Sequence, residues 1–298
     1  MNKVKQQFSI KDLENLSGIK AHTIRIWEKR YQIFNPNRTE TNIRFYSLDE
    51  LQKLLNISFL NGYGYKISRV AEYSELELNK LVKQVYSEKT NAIFSINVLK
   101  LAMLNFDAVL FNETHNELSK TKSFSQIFLQ VYTPFLREIG VLWQTSAIKP
   151  IHEHFICYLI YQKLIENISL IQTEKQLVEN DTTVVLFLPE NEVHEISLMF
   201  INYQLINKGY RTIYLGSSVP FKDLEEINKF YDNIQFVSYF TVMPYVSELD
   251  DYLSNFEKNI LQNNSCKLYV SGNQSKNITS KYQSIFKFDT IEDLISSI

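Results

Sequence analysis

The sequence contains few of the residues that define several functional classes. Its 298 residues include only seven glycines and two cysteines, and no apolar run approaches the roughly 20 residues that a membrane span needs. Cys157 and Cys266 lie far apart in unlike segments, so neither a disulfide framework nor a zinc cluster is indicated. Because no glycine-rich phosphate loop is present, a nucleotide-dependent enzyme is disfavoured. The polar start has no apolar signal segment, and we expect a cytoplasmic protein without a membrane partner.

The charge of the chain is unevenly distributed. The net charge is −2, but residues 1–72 hold 12 lysines and arginines against seven acidic residues. That segment therefore carries +5 and leaves −7 for the remainder. The length of the chain favours two or three domains. A basic amino-terminal module on an acidic body indicates that only this end contacts a polyanion.

Residues 1–72 have the pattern of a helix-turn-helix followed by a wing. Ser9 and Asp12 resemble a capping box, and Gly18 ends the first helix. A second helix is predicted from about His22 to Arg30, and a third begins after Ser47. Basic and hydroxyl side chains on the second helix suit base edges in the major groove, and wing arginines suit phosphates. From the pattern alone, a three-helix protein-interaction domain with a solvated basic face stays open.

The same stretch closely resembles the winged-helix domain of the MerR family of transcriptional regulators. The resemblance covers residues 7 to about 72 and includes the motifs TIR, WEKRY and NIRFY. It implies a DNA-binding regulator, not an enzyme, that binds double-stranded operator DNA as a homo-dimer or tetramer. The residues expected to contact DNA are His22, Thr23, Arg25, Lys29, Arg30, Arg38, Asn42, Arg44 and Tyr46.

Residues 73–177 repeat apolar side chains at helical spacing and predict a bundle of about four helices. Pro134 is expected to kink or interrupt its helix. Pro150 suits the first position of a helix, and the polar residues 152–154 follow it. By chemistry alone these polar residues are either a capping group or part of a site.

The spacing between Trp143 and the Glu153-His154 pair carries a second resemblance. A tryptophan, nine intervening residues and a Glu-His pair are similar to the helical cap of CarH/LitR-type cobalamin-dependent photoreceptor regulators. The resemblance implies that Trp143 covers the upper axial face of the cobalt. It also implies that Glu153 and His154 line the same cavity.

Residues 178–298 alternate strand and helix patterns and predict a Rossmann-like parallel sheet with helices on both faces. The stretch PENEVHEIS follows the first strand, at the edge where open α/β sheets bind ligands. His194 in this loop is, taken by itself, either a solvated side chain or a ligand. The strand candidates are Thr183–Leu188, Thr212–Leu215, Gln235–Phe240, Lys267–Ser271 and Ile285–Phe288.

This region resembles the cobalamin-binding domain, whose pattern is Asp-x-His-x-x-Gly, then Ser-x-Leu, then Gly-Gly. The corresponding stretches here are EVHEIS, SYF and SG. The resemblance implies that His194 is the lower axial cobalt ligand, that Glu192 orients its ring, and that Ser238 contacts the nucleotide tail. The expected corrinoid site consists of Trp143, Glu153, His154, Glu192, His194, Ser197, Ser238, Ser271 and Gly272.

Three hypotheses follow from these patterns. The first is a MerR-type regulator, a repressor, whose DNA binding is controlled by adenosylcobalamin and by light. The second keeps the DNA binder but gives it a corrinoid-free sensor, because Glu192 replaces an aspartate while Ser197 and Ser271 replace glycines. The third is a corrinoid carrier for methyl transfer, since such carriers also pair a helical bundle with this α/β domain.

Overall fold

A computed structural model describes residues 7–88, 92–145, 147–174, 182–231, 233–261, 266–279 and 281–298. The chain forms two compact units, Met1–Leu159 and Ile160–Ile298. The expected boundary at residues 72 and 73 falls inside the first unit, and the one at residues 177 and 178 lies outside the described residues. The division into three domains stays a prediction. Within the described segments, no helix combines the length and apolarity needed to cross a membrane.

The first unit begins with a helix-turn-helix and a two-stranded antiparallel wing. Ser9 and Asp12 form a capping box, and Gly18 ends the first helix with a φ of 74°. Ser47 and Glu50 form a second capping box at the start of the third helix. The predicted winged helix is confirmed. Its elements are α1 (Ile10–Ser17), α2 (Ala21–Tyr31), β1 (Asn37–Arg38), β2 (Arg44–Phe45) and α3 (Leu48–Gly62).

A helical bundle with a mostly apolar interior follows. Its aromatic side chains Phe111, Phe128, Tyr132 and Phe135 are fully buried or nearly so. The predicted interruption at Pro134 takes the form of a π-helical turn, because proline cannot donate a helical hydrogen bond. The helices are α4 (Ile67–Val70), α5 (Glu75–Glu88), α6 (Ala92–Asn105), α7 (Ala108–Ser119), α8 (Phe124–Ile127), the π turn Phe128–Tyr132, α9 (Thr133–Gln144) and α10 (Pro150–Glu174).

The second unit contains a parallel sheet flanked by helices, which confirms the Rossmann-like prediction. The strand order is β4-β3-β5-β6-β7, and every neighbouring pair is parallel. The elements are β3 (Thr183–Pro189), α11 (Ile196–Asn207), β4 (Arg211–Val219), α12 (Phe221–Ile227), β5 (Ile234–Tyr239), α13 (Val246–Asn259), β6 (Lys267–Ser271), β7 (Ile285–Lys287) and α14 (Ile291–Ser297).

The central strand β3 sets the geometry of this unit. All seven of its residues are buried, as expected of a parallel strand covered on both faces. Its side chain Phe187 stacks on Phe256 of α13, with ring centroids 5.6 Å apart. The chain passes from β3 to β4 on one side and then to β5 on the other, so the order of the sheet reverses between β3 and β5. Ligands of open α/β sheets bind at the carboxyl ends of such strands.

Candidate functional site

The loop after β3 is fixed to the carboxyl end of the neighbouring strand β4. The backbone N–H of Ser218 donates to the Glu192 carbonyl at 3.0 Å, and the Ser218 hydroxyl accepts from the Asn191 N–H at 3.0 Å. β4 is longer than predicted, and it continues past the irregular register around Gly216 to make these contacts. The loop that carries His194 is therefore held on one side by the sheet.

The carboxylate of Glu192 holds the same loop on its other side. One oxygen, Oε1, accepts from the backbone N–H groups of Val193 at 2.9 Å and His194 at 3.1 Å. It also lies 2.5 Å from the His194 ring nitrogen Nδ1. The other oxygen, Oε2, accepts from the backbone N–H groups of Val242 at 2.7 Å and Met243 at 2.9 Å. Glu192 thus joins the loops that follow β3 and β5, where the strand order reverses.

These contacts set the ionisation of Glu192 and the tautomer of His194. Burial of the Glu192 carboxyl raises its pKa, but the hydrogen bonds from His194, Val242 and Met243 outweigh burial and lower the pKa to about 2. An ionised Glu192 can only accept in this contact, so Nδ1–H donates the hydrogen bond, and a neutral imidazole then carries its lone pair on Nε2. The His194 side chain is 50% exposed, whereas the Glu192 side chain is 1% exposed. This geometry suits a histidine that ligates a metal through Nε2 while a buried carboxylate accepts from its other ring nitrogen and orients the ring.

A second acidic residue, Glu195, ends the same loop and caps α11. Glu195 Oε2 accepts a hydrogen bond from the Tyr214 hydroxyl at 3.2 Å. Burial and the charge of Glu195 raise the pKa of Tyr214, and the same two causes raise the pKa of Tyr161. Sequence reasoning gave Glu195 and Tyr214 no role, because a tyrosine in an edge strand has no distinctive spacing.

The expected contacts of the nucleotide tail lie deep in the unit. Ser238 is fully buried and its hydroxyl donates to the Phe187 carbonyl at 2.8 Å. Ser271 is also buried. Gly272 has a φ of 104°, and a Cβ there would lie 2.5 Å from the Phe240 carbonyl oxygen, so this position requires glycine. Ser197, in the first turn of α11, is half-buried.

The other expected corrinoid residues belong to the first unit. Trp143, near the end of α9, is 52% exposed, and His154 on α10 is also exposed. Glu153 is half-buried. His152 is buried, and its Nδ1 accepts from the backbone N–H of Lys149 at 3.0 Å, so the capping interpretation holds for His152. Glu192 and His194 lie in the second unit.

The second helix of the winged domain presents a basic face. Ile24 and Trp27 are buried as predicted. Thr23 is half-buried. Sequence reasoning missed Ile26, which lies on the exposed face and is 53% exposed; the helical period could have indicated it. The exposed residues are His22, Arg25, Ile26, Lys29 and Arg30.

The wing is tied to this helix by Glu28. Its Oε1 accepts from Arg44 Nε at 3.0 Å and its Oε2 accepts from the Tyr46 hydroxyl at 2.8 Å. Tyr46 is fully buried, so its side chain holds the wing in place and the expected contact with DNA is not supported. At the wing turn, Arg38 Nη1 donates to Asn42 Oδ1 at 2.6 Å, and both residues are exposed.

One buried lysine connects the winged domain with the bundle. Lys100 on α6 is 5% exposed. Its ammonium donates to the Leu16 carbonyl near the end of α1 at 3.0 Å and lies 2.5 Å from Glu138 on α9. A cation is favoured at the carboxyl end of a helix such as α1. The helix that carries Trp143 is thereby linked to the helix-turn-helix.

Comparisons with known protein families match the winged domain and the helical bundle separately. Residues 8–77 match the MerR HTH family regulatory protein, and residues 95–165 match the B12 binding domain. The chain therefore contains a segment similar to the DNA-binding domain of MerR regulators and a segment similar to a B12 binding domain, and this combination supports a transcription regulator.

Two curated relatives come from Myxococcus xanthus. The HTH-type transcriptional repressor CarH is 25% identical over 215 residues, which are 70% of each chain. The HTH-type transcriptional repressor CarA is 23% identical over 219 residues, which are 71% of this chain and 68% of the relative. Among solved structures, the Methanosarcina barkeri monomethylamine corrinoid protein has a TM-score of 0.50 at 13% identity. The match covers 67% of this chain and 94% of the corrinoid protein. At this level of identity it supports a shared fold alone.

Proposed function

We propose that this regulator is a repressor whose DNA binding is controlled by a corrinoid, adenosylcobalamin, and by light. The single observation that carries the proposal is the contact between Glu192 and His194 Nδ1 at 2.5 Å. The contact favours the imidazole tautomer that has its proton on Nδ1 and its free lone pair on Nε2. His194 lies at the edge of the sheet where ligands of this fold bind.

The residues at this edge fit a corrinoid. His194 would hold the corrinoid through Nε2, and Glu192 would orient its ring by accepting a hydrogen bond from Nδ1–H. The extra methylene of Glu192 is accommodated, because its carboxylate is held by backbone donors of two loops. When bound, the corrinoid would supply a cobalt–carbon bond that light can break.

Three residues of the helical bundle would also contact the corrinoid when it is bound. They are Trp143, Glu153 and His154. Trp143 and His154 are exposed, so both side chains are accessible to a ligand. A displacement of α9 would reach the helix-turn-helix through the Glu138–Lys100–Leu16 contacts, because each link is a direct polar contact.

Operator binding would follow the MerR pattern. Arg25, Lys29 and His22 would face the bases, and Arg38 on the wing would hold a phosphate. A homo-dimer or tetramer would bind an inverted repeat, since each half-site takes one winged domain.

Reconstitution with adenosylcobalamin in darkness, followed by desalting and absorbance spectroscopy, tests this function. We expect retained corrinoid, a spectrum that changes after green illumination, and a different spectrum for His194→Ala. Tyr245→Ala, an exposed aromatic outside the expected ligand set, is the matched control and should retain the corrinoid. Absence of retained corrinoid in the unchanged protein would contradict the proposal.

A second candidate is a regulator whose sensor unit binds no corrinoid. The observation that favours it is the burial of Ser238 and Ser271, together with the bond from Ser238 to Phe187. A tail channel would have to open at these serines. Operator binding that is unchanged by adenosylcobalamin and by light would support this candidate. The methyl-transfer carrier is disfavoured, because residues 8–77 match a MerR regulator.

A further inference from the structure

Ile26 occupies the centre of the exposed face of α2. Residues three or four positions apart on a helix are neighbours, so Ile26 is surrounded by His22, Thr23, Lys29 and Arg30. Three of these four neighbours are exposed, and Ile26 itself is 53% exposed. A large aliphatic side chain thus lies inside a ring of polar and basic groups.

This surrounding chemistry restricts what Ile26 can contact. An apolar docking site for another protein needs a contiguous apolar patch, whereas the face around Ile26 carries Arg25, Lys29 and Arg30. The same basic groups are attracted to the phosphates of a nucleic acid. In the major groove of DNA, one base presents an apolar group. That base is thymine, which presents its C5-methyl group there.

The position of Ile26 is rigidly defined. Its neighbours Ile24 and Trp27 are buried in the domain core, and Glu28 is bonded to the wing. A β-branched side chain in a helix also has one strongly preferred χ1 rotamer. The methyl groups of Ile26 are therefore presented in a fixed direction, as a base contact requires.

We propose that Ile26 is a specificity residue that reads a thymine methyl group in each operator half-site. This inference rests on the proposed binding of operator DNA and adds the base that one side chain recognises. Arg25 and Lys29 beside it would contact base edges or phosphates, whereas Ile26 distinguishes thymine from cytosine at one position.

The test replaces single thymine methyl groups. The full-length protein is first used to select duplexes from a randomised pool, which supplies a consensus. Synthetic duplexes then carry deoxyuridine in place of each thymine in turn, which removes only the C5-methyl group. We expect one thymine per half-site at which deoxyuridine weakens binding by about fourfold, as for the burial of one methyl group.

The variant Ile26→Ala completes the test. It should bind the thymine duplex about as weakly as the unchanged protein binds the deoxyuridine duplex, and it should show no further loss with deoxyuridine. Ile93→Ala, at an isoleucine of α6 that is 63% exposed, is the control and should keep the full deoxyuridine effect. A consensus whose thymines all tolerate deoxyuridine, or a deoxyuridine effect that persists in Ile26→Ala, would overturn the inference. If no duplex is selected at all, operator binding itself fails.

Discussion

Two glutamates organise the two functional regions, and they do so with different partners. Glu28 joins α2 to the wing through the side chains of Arg44 and Tyr46. Glu192 joins the loops after β3 and β5, and four of its five hydrogen bonds come from backbone N–H groups. Its fifth partner is the ring of His194. Each carboxylate positions a segment that is proposed to contact a ligand.

The difference between side-chain and backbone donors determines which substitutions each region tolerates. Side-chain donors must be arginine and tyrosine, so the wing depends on the identity of its partners. Backbone donors are supplied by every residue except proline, so the loop at Val242 and Met243 depends on its conformation. We therefore expect substitutions of Glu192 itself to be costly, and substitutions of its backbone partners to be mild.

The largest expected effect is that of Glu192→Gln. The folded-state pKa of about 2 lies below the ordinary value of 4.5, so the unfolded chain binds more protons between these values. Ionised Glu192 therefore contributes stability above about pH 5, which is lost progressively as the pH falls toward about 2. We expect the variant to lose about 3 kcal/mol of unfolding free energy at neutral pH. The loss relative to the unchanged protein should shrink toward zero in acid.

Hydrogen exchange and urea unfolding of the corrinoid-free protein would check this effect. The amides of Val242 and Met243 should exchange faster in Glu192→Gln. The matched control is Asp250→Asn, because the side-chain hydrogen bonds of Lys281 and Tyr282 also lower the pKa of Asp250, but at an exposed position. A loss in Asp250→Asn as large as that in Glu192→Gln would remove the distinction between buried and exposed carboxylates.

Glu28→Gln should have the next largest effect. The neutral amide of glutamine lacks the negative charge to which Arg44 and the Tyr46 hydroxyl donate. We therefore expect the unfolding free energy to fall by about 1–2 kcal/mol. The wing should also be held less firmly, and binding to a selected duplex should weaken. Trp27 and Trp143 are the two tryptophans of the chain and both lie in the first unit, so tryptophan fluorescence during urea unfolding reports this region. Glu40→Gln on the exposed wing turn should be silent, and an equal loss there would implicate net charge.

The sequence predicted most of the fold because its signals are local. The capping boxes at Ser9 and Ser47, the stop at Gly18 and the apolar strand after Thr183 each occupy a few consecutive residues. The length of β4 was underestimated, because its last residues follow contacts with the loop at Asn191 and not an apolar pattern.

The candidate site was predictable only in part. The resemblance to the cobalamin-binding domain implied a contact between Glu192 and His194, and the structure places Glu192 Oε1 2.5 Å from His194 Nδ1. The tie to Val242 and Met243 left no trace in the sequence, since backbone donors carry no residue preference. Tyr46 was expected at the DNA because the motif contains it, but burial assigns it to holding the wing. A motif identifies which residues matter without separating a contact residue from a positioning residue.

Tyr46→Phe tests the side-chain partner of Glu28 with a smaller effect. The change removes the hydroxyl that donates to Glu28 Oε2 and keeps the buried ring, so we expect a loss of about 1 kcal/mol. Urea unfolding followed by tryptophan fluorescence would measure it. Tyr158→Phe, at an exposed tyrosine, is the control. If Tyr46→Phe weakened DNA binding strongly at unchanged stability, the hydroxyl would be a direct contact and its positioning role would be wrong.

The smallest expected effect is that of Val242→Ala. Alanine keeps the backbone N–H that donates to Glu192 Oε2, and the valine side chain is partly exposed, so the unfolding free energy should change by less than about 0.5 kcal/mol. Hydrogen exchange at Met243 should also stay as slow as in the unchanged protein. A loss approaching that of Glu192→Gln would show that the side chain of residue 242 shapes the loop. The contrast between a wing held by specific side chains and a loop held by interchangeable backbone donors would then fail, because both regions would depend on residue identity.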